Sequence, residues 1–423
     1  MHLCEVGLNN PVAVTLGRRP WAVTMAAVGP GIIVMLADTD AGSVITAAQS
    51  GAQWGYRLLL LQIVLVPVLY VVQELTVRLG LVTGRGHGEL IRDTFGAKLA
   101  WLSCGSLLLA CLGALVTEFS GMVGVGLLFG IPSWATMTVV VGGMLLMIWT
   151  GSYRSVERIA VLFGAFELFF LYVALRSHPD PVALVDGMTR IPLADHKYLY
   201  LVAANIGAVI MPWMVFFQQS AVVEKGLGPQ HLRVARQETA IGAVVAQLVM
   251  AAVLVTAAAT VGTSNPNAPL DTVQQISTTL EPFLGWSVGR AVFAAGMMGA
   301  AMVAAIVVSL TAAWGVGEVA GYRRSLADHP REAPWFYGIL TVGLVLCGLL
   351  VASDSLNLVA LSVGVEVINA LLLPIVLGFL FALARKALPE PYRLKGAYAW
   401  VVAVIILGTA AFGVLSGVIS LLD

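Results

Sequence analysis

Charge is scarce in this sequence: Asp, Glu, Lys and Arg make up 11% of the 423 residues, against 59% hydrophobic. A water-soluble domain of this length has no need of so apolar a balance, which leaves an integral membrane protein. Repeated apolar runs suit α-helices, because a helix satisfies its own backbone polar groups inside hydrocarbon and an open strand does not. Cysteine is scarce as well. Cys4, Cys104, Cys111 and Cys347 stand singly with no CxxC spacing, which supports neither a disulfide framework nor a zinc site. A net charge of zero gives no pull toward nucleic acid. The first twenty residues lack the apolar core and small-residue cleavage site of a removable leader, so the first span is expected to act as the insertion signal. Catalytic signatures are missing too. GRGHGEL (84–90) has glycines but no following Lys-Ser/Thr, and no histidine lies in HExxH, so an enzyme or a bound prosthetic group is not expected.

What is present is a series of long apolar runs separated by charged or Pro/Gly-rich breaks. They predict eleven spans near 22–48, 57–80, 100–129, 133–151, 157–177, 198–224, 238–262, 285–318, 335–353, 356–385 and 397–421, preceded by a short segment at 1–21. No connection is long enough for a soluble domain, so 22–423 reads as one transmembrane domain; the connections at 178–197 and 263–284 have room for a helical turn. Basic residues divide unevenly between alternate connections. Of the 23 Lys and Arg, only Arg57, Arg176, Arg190, Lys197 and Arg290 fall on the side opposite the N-terminus. The positive-inside bias then places the N-terminus in the cytoplasm and the C-terminus outside, in a multi-pass protein of the cell membrane.

Two spans break helical rules. LADTDAGS (36–43) puts Thr39, Asp40, Gly42 and Ser43 at mid-span, residues that compete for backbone hydrogen bonds or favour turns. NIGAVIMPWMVFFQQS (205–220) carries Gly207 and then Met211-Pro212, where proline removes an amide donor. Span one opens a first group of five and span six a second, the pattern of inverted repeats whose unwound helices meet at mid-membrane and hold an ion. A carboxylate at such a break costs several kcal/mol on insertion scales unless it is paired or hydrated, which favours function over a simple kink.

GPG (29–31), Asp40-Ala41-Gly42-Ser43, AQSGAQWGY (48–56), Gln73 followed by RLGLVTG (78–84), and GAVIMP (207–212) resemble the Nramp divalent metal transporters, as a divergent bacterial-type member. The resemblance implies an all-α LeuT-type fold, with repeats of spans 1–5 and 6–10 and an eleventh helix. It also implies secondary active import of a divalent ion by alternating access.

Residue by residue, Asp40 matches the aspartate of the family's Asp-Pro-Gly-Asn, Ala41 replaces the proline and Ser43 stands for the asparagine. Met211 and the Ala208 carbonyl match the sixth-span ligands. Glu366 takes the place of a metal-facing glutamine, adding charge beside Asp40. Asp38, Gln73 and Asn369 are secondary candidates for the site or its pathway, with Asp38 alternatively capping the second half-helix. Trp213 and Gln218 replace two family histidines, and Trp213 reads as packing. Glu118 matches the third-span glutamate of a proton route while its partner aspartate is Leu115; a paired interface glutamate is the plainer alternative. Glu74 and Glu167 read as structural.

Carboxylate and carbonyl oxygens suit Mg, Ca or Mn, and a thioether favours softer ions, so Mn(II) or Fe(II) is the expected substrate, with protons as co-substrate. Mg(II) transport on the same fold, an organic-cation or amine transporter, and a non-transport sensor stand as alternatives. The lipid bilayer is the only other partner expected, with no obligate protein subunit.

Overall fold

The computed structural model describes residues 30–150, 167–264, 270–279, 285–325, 328–353 and 357–422. The segment 1–21, the start of the first span with Gly29, the connection 151–156 with Arg154, and the first part of the fifth span with Arg158 lie outside the described residues. Every regular element among those described is helical.

The first span is two helices, α1 (Pro30–Asp38) and α2 (Ala41–Trp54), separated by Thr39 and Asp40. A 3-10 turn leads into α3 (Leu59–Thr83), which stops where Gly84 turns left-handed. Next come the short α4 (His87–Phe95), the long α5 (Ala97–Leu128) and α6 (Ser133–Thr150). α7 (Leu168–Arg176) precedes α8 (Pro181–Thr189) in the 178–197 connection. The sixth span is again split, into α9 (His196–Val209) and α10 (Pro212–Glu224). α11 (Leu232–Ser264), α12 (Val273–Thr278), α13 (Trp286–Ala320), α14 (Pro334–Ala352), α15 (Leu358–Lys386) and α16 (Gly396–Leu421) complete the chain.

Among the described residues, eight helical stretches are long and apolar enough to cross a membrane, with Ser133–Trp149 a shorter apolar helix. The eleven expected spans map onto these stretches as follows. The first span is divided into halves, α2 runs on into α3 as one stretch, and the fifth span is described only from Glu167. The sixth span is the centre of the bundle: 94% of its apolar window is buried, against 33% for α16, whose free face is left for lipid. α2 packs along α11, α5 along α13, and α9 against both α15 and α16.

Polar side chains tie the halves together in the interior. Asn205 accepts from Gln62 Nε2 at 2.6 Å and donates to Ser50 Oγ at 2.8 Å, linking α9 to α3 and α2. Glu74 pairs with Arg78 at 2.6 Å and with Arg236 at 2.7 Å, the structural role its position suggested. A buried carboxylate with two guanidinium partners is a satisfied charge.

GRGHGEL is a packing clasp. Gly88 N donates to Glu318 Oε2 at 2.8 Å, and His87 sits edge-on to Phe216 with ring centroids 4.7 Å apart. Gln219 donates its Nε2 to Arg85 O, so its Oε1 accepts from His87 Nδ1 at 2.9 Å, which fixes the neutral tautomer. His87 lies between the spans, and burial pushes its pKa down to about 4. A depressed folded-state value means the neutral form stabilises the fold. That contribution is complete above the ordinary value near 6.5 and is lost as pH falls toward about 4. We expect His87→Gln, which keeps a polar group of similar reach, to lose less Tm than wild type between neutral and mildly acid pH. Equal losses in thermal unfolding of the detergent-solubilised proteins would contradict this.

Candidate metal site between the broken helices

Proline decides the second break. Pro212 begins α10, where its missing N–H is no loss, and Met211 before it is extended at φ −85°, ψ 139°. At the first break Asp40 is extended at φ −70°, ψ 177° and caps α2, its Oδ1 accepting from Ser43 N at 2.7 Å. The cap of the second half-helix is therefore Asp40, and the alternative role for Asp38 is corrected. Asp has the short acceptor that this cap requires, and its charge also favours a helix N-terminus.

The two breaks meet. Ser43 Oγ donates to the Ala208 carbonyl at 3.0 Å, joining the start of α2 to the last turn of α9. Glu118 comes to the same point from α5, its Oε2 accepting from Ala41 N at 3.1 Å, so two carboxylates hold the first turn of α2. Glu366, on α15, lies against Gly42 and accepts from Asn369 Nδ2 at 2.9 Å. Its backbone carbonyl also lies against Gly207. Asp40, Ser43, Glu118, Glu366 and Asn369 are all fully buried.

Among the described residues no hydrogen-bond donor reaches several oxygens at this point: Asp38 Oδ1, Asp40 Oδ2, Glu366 Oε1 and Asn369 Oδ1. A buried carboxylate oxygen without a donor is costly, and a cation is the partner that would offset it. Among the described residues no three His, Cys, Asp or Glu side chains form a metal-binding group. The donors gathered here are mixed instead, carboxylate with hydroxyl, carbonyl and amide oxygen, a set that could hold a hard or borderline divalent ion.

Not every sequence candidate joins this point. Gln218 donates to Thr239 on α11 at 3.5 Å and makes no described bond to the acids. Gln73 is buried on α3 with both amide atoms unpartnered and makes no described bond to the cluster. Trp213 is more than packing, since its Nε1 donates to Met211 Sδ at 3.0 Å. One residue joins that sequence reading did not place there, Glu167. Thr39 Oγ1 donates to Glu167 Oε2 in a short contact, setting a buried acid of the fifth span beside the first break. The signal was visible as an acid in an apolar run, but nothing in its spacing indicates which break it faces.

Comparison with known proteins gives the family and the fold. The Nramp family model, described as natural resistance-associated macrophage protein-like, matches residues 31–418. The chain is 28% identical over 311 residues to the "divalent metal cation transporter MntH" of Yersinia pestis, covering 71% of this chain and 75% of that protein. It is 28% identical over 359 residues to the protein of the same name in Xanthomonas campestris, covering 81% and 78%. In structure it is similar to the Eremococcus coleocola manganese transporter, with TM-score 0.74 at 20% identity over 98% of this chain and 90% of that one. A Na+-coupled sialic acid symporter matches more loosely, with TM-score 0.57 at 15% identity over 94% and 88%. The shared architecture is the LeuT-type fold, and the chain belongs to the Nramp family.

Proposed function

We propose that this protein is a transporter that imports divalent transition-metal ions, Mn(II) or Fe(II), across the cell membrane. It binds the ion between α2, α9 and the Ile210–Met211 break, and alternating access exposes that site to each side in turn. Asp40, Ser43, the Ala208 carbonyl, Met211 and Glu366 are the ligand set, with Asp38 and Asn369 beside it. The carrying observation is that two broken helices, joined by the Ser43–Ala208 bond, lie among buried carboxylates with unpartnered oxygens. Relatives named as divalent metal cation transporters support the substrate class. Eleven spans with a cytoplasmic N-terminus and an extracytoplasmic C-terminus complete the reading.

Mg(II) is the second reading, favoured by the carboxylate of Glu366 where an amide would carry no charge. Uptake of Mn(II), Cd(II) and Mg(II) into proteoliposomes separates the two. Saturable Mn(II) uptake unaffected by excess Mg(II) supports the first, and Mg(II) uptake that Mn(II) fails to displace overturns it.

Proton coupling runs in this reading through Glu118, whose carboxyl holds Ala41 N and neighbours Asp40. In Glu118→Gln the amide oxygen still accepts from Ala41 N, so α2 keeps its cap while the exchangeable proton is lost. Wild-type Mn(II) uptake is expected to rise when the outside is acidified, and uptake by Glu118→Gln to be flat across the same range. Equal pH responses would remove Glu118 from the proton route.

A further inference from the structure

Met211 is the only soft donor in the proposed ligand set, and its surroundings bear on which ion that set prefers. Because Pro212 forces residue 211 into an extended backbone, the Met211 side chain falls alongside the first turn of α10, where Trp213 sits. Both side chains are wholly buried. An indole N–H is a donor with no accepting capacity, and a buried one takes a partner; here that partner is the thioether, 3.0 Å from Nε1. The hard oxygens of the proposed set, Oδ2 of Asp40 and Oε1 of Glu366, take no donor among the described residues. The sulfur is engaged, then, while these carboxylate oxygens are free to bind.

From this arrangement, and resting on the metal-site reading above, we infer that Trp213 sets ion specificity by hydrogen-bonding the Met211 sulfur and weakening it as a soft ligand. A thioether binds a metal through lone-pair density on sulfur, and an N–H on the same atom draws on that density and fixes its direction. The loss falls hardest on ions that depend on sulfur, such as Cd(II), and least on ions content with oxygen, such as Mn(II). Trp213 is a positioning residue: it acts on the ion through Met211, and its effect is confined to the ratio between soft and harder ions.

The test is the ratio of Cd(II) to Mn(II) affinity, measured by calorimetric titration of the purified full chain and by competition during proteoliposome uptake. Trp213→Phe removes the N–H, and the ratio is expected to shift toward Cd(II) by about tenfold, the scale of one hydrogen bond. Since phenyl is smaller than indole, a second variant carries 3-benzothienylalanine at 213, which keeps the bicyclic shape without the N–H. It is expected to shift the ratio in the same direction. In a Met211→Leu background neither change at 213 should move the ratio further. If Met211→Leu lowers the Cd(II) preference while both 213 variants leave it at the wild-type value, the inference is overturned and the metal site stands. If Met211→Leu itself leaves the ratio unchanged, the sulfur is no ligand, and the inference fails together with that part of the site.

Discussion

Replacing Asp40 with Asn is expected to reduce Mn(II) affinity and saturable uptake at least a hundredfold while leaving the protein folded. The two outcomes separate because Asp40 has two jobs on two oxygens. Oδ1 caps α2 through Ser43 N, and an asparagine oxygen does this about as well. Oδ2 accepts no hydrogen bond among the described residues and carries the charge proposed to face the ion. A unit charge about 4 Å away is worth about 4 kcal/mol at an effective dielectric near 20, more for a divalent ion, so about a hundredfold is a lower bound. Calorimetric Mn(II) titration alongside thermal unfolding checks both halves. Wild-type affinity in Asp40→Asn would remove the main ligand, and with it the proposed site. Asp40→Ala should bind equally poorly and also lose about 1 kcal/mol of stability from the missing cap.

The largest structural effect is expected from Gly207→Ala. A methyl group on Gly207 would meet the Glu366 carbonyl oxygen at overlapping distance and Ala370 N at 2.8 Å, both of them backbone atoms of α15. Backbone of a packed helix cannot step aside as a flexible side chain can, so α9 and α15 must separate, at a cost on the order of 3 kcal/mol or more. Because the same turn of α15 carries Glu366, the separation also draws that carboxylate away from the breaks. The expected result is a marked fall in Tm and in monodisperse yield, with Mn(II) binding lost in whatever protein is recovered. Gly105→Ala in α5 is the control, since nothing lies near that position and the change should stabilise by up to about 1 kcal/mol. A Gly207→Ala protein as stable as wild type would mean that α9 and α15 do not touch there.

The sequence by itself determined the membrane class, the helical fold and both breaks. These are local properties: apolar runs are read by length, Met211-Pro212 interrupts a helix wherever it occurs, and Thr39-Asp40 cannot continue one without leaving a charge in hydrocarbon. It also marked Asp40, Ser43, Ala208, Met211 and Glu366 as candidates through their places in those breaks and on span ten. Tertiary structure decided what lies between segments distant in the chain. Glu118 and Asp40 share the first turn of α2, and Ser43 reaches Ala208 across 165 positions. Glu167 meets Thr39, Gln218 turns instead to Thr239, and Trp213 takes the Met211 sulfur. Side-chain partnerships of this kind depend on how helices rotate and approach one another, which packing sets and helical periodicity along one chain does not encode.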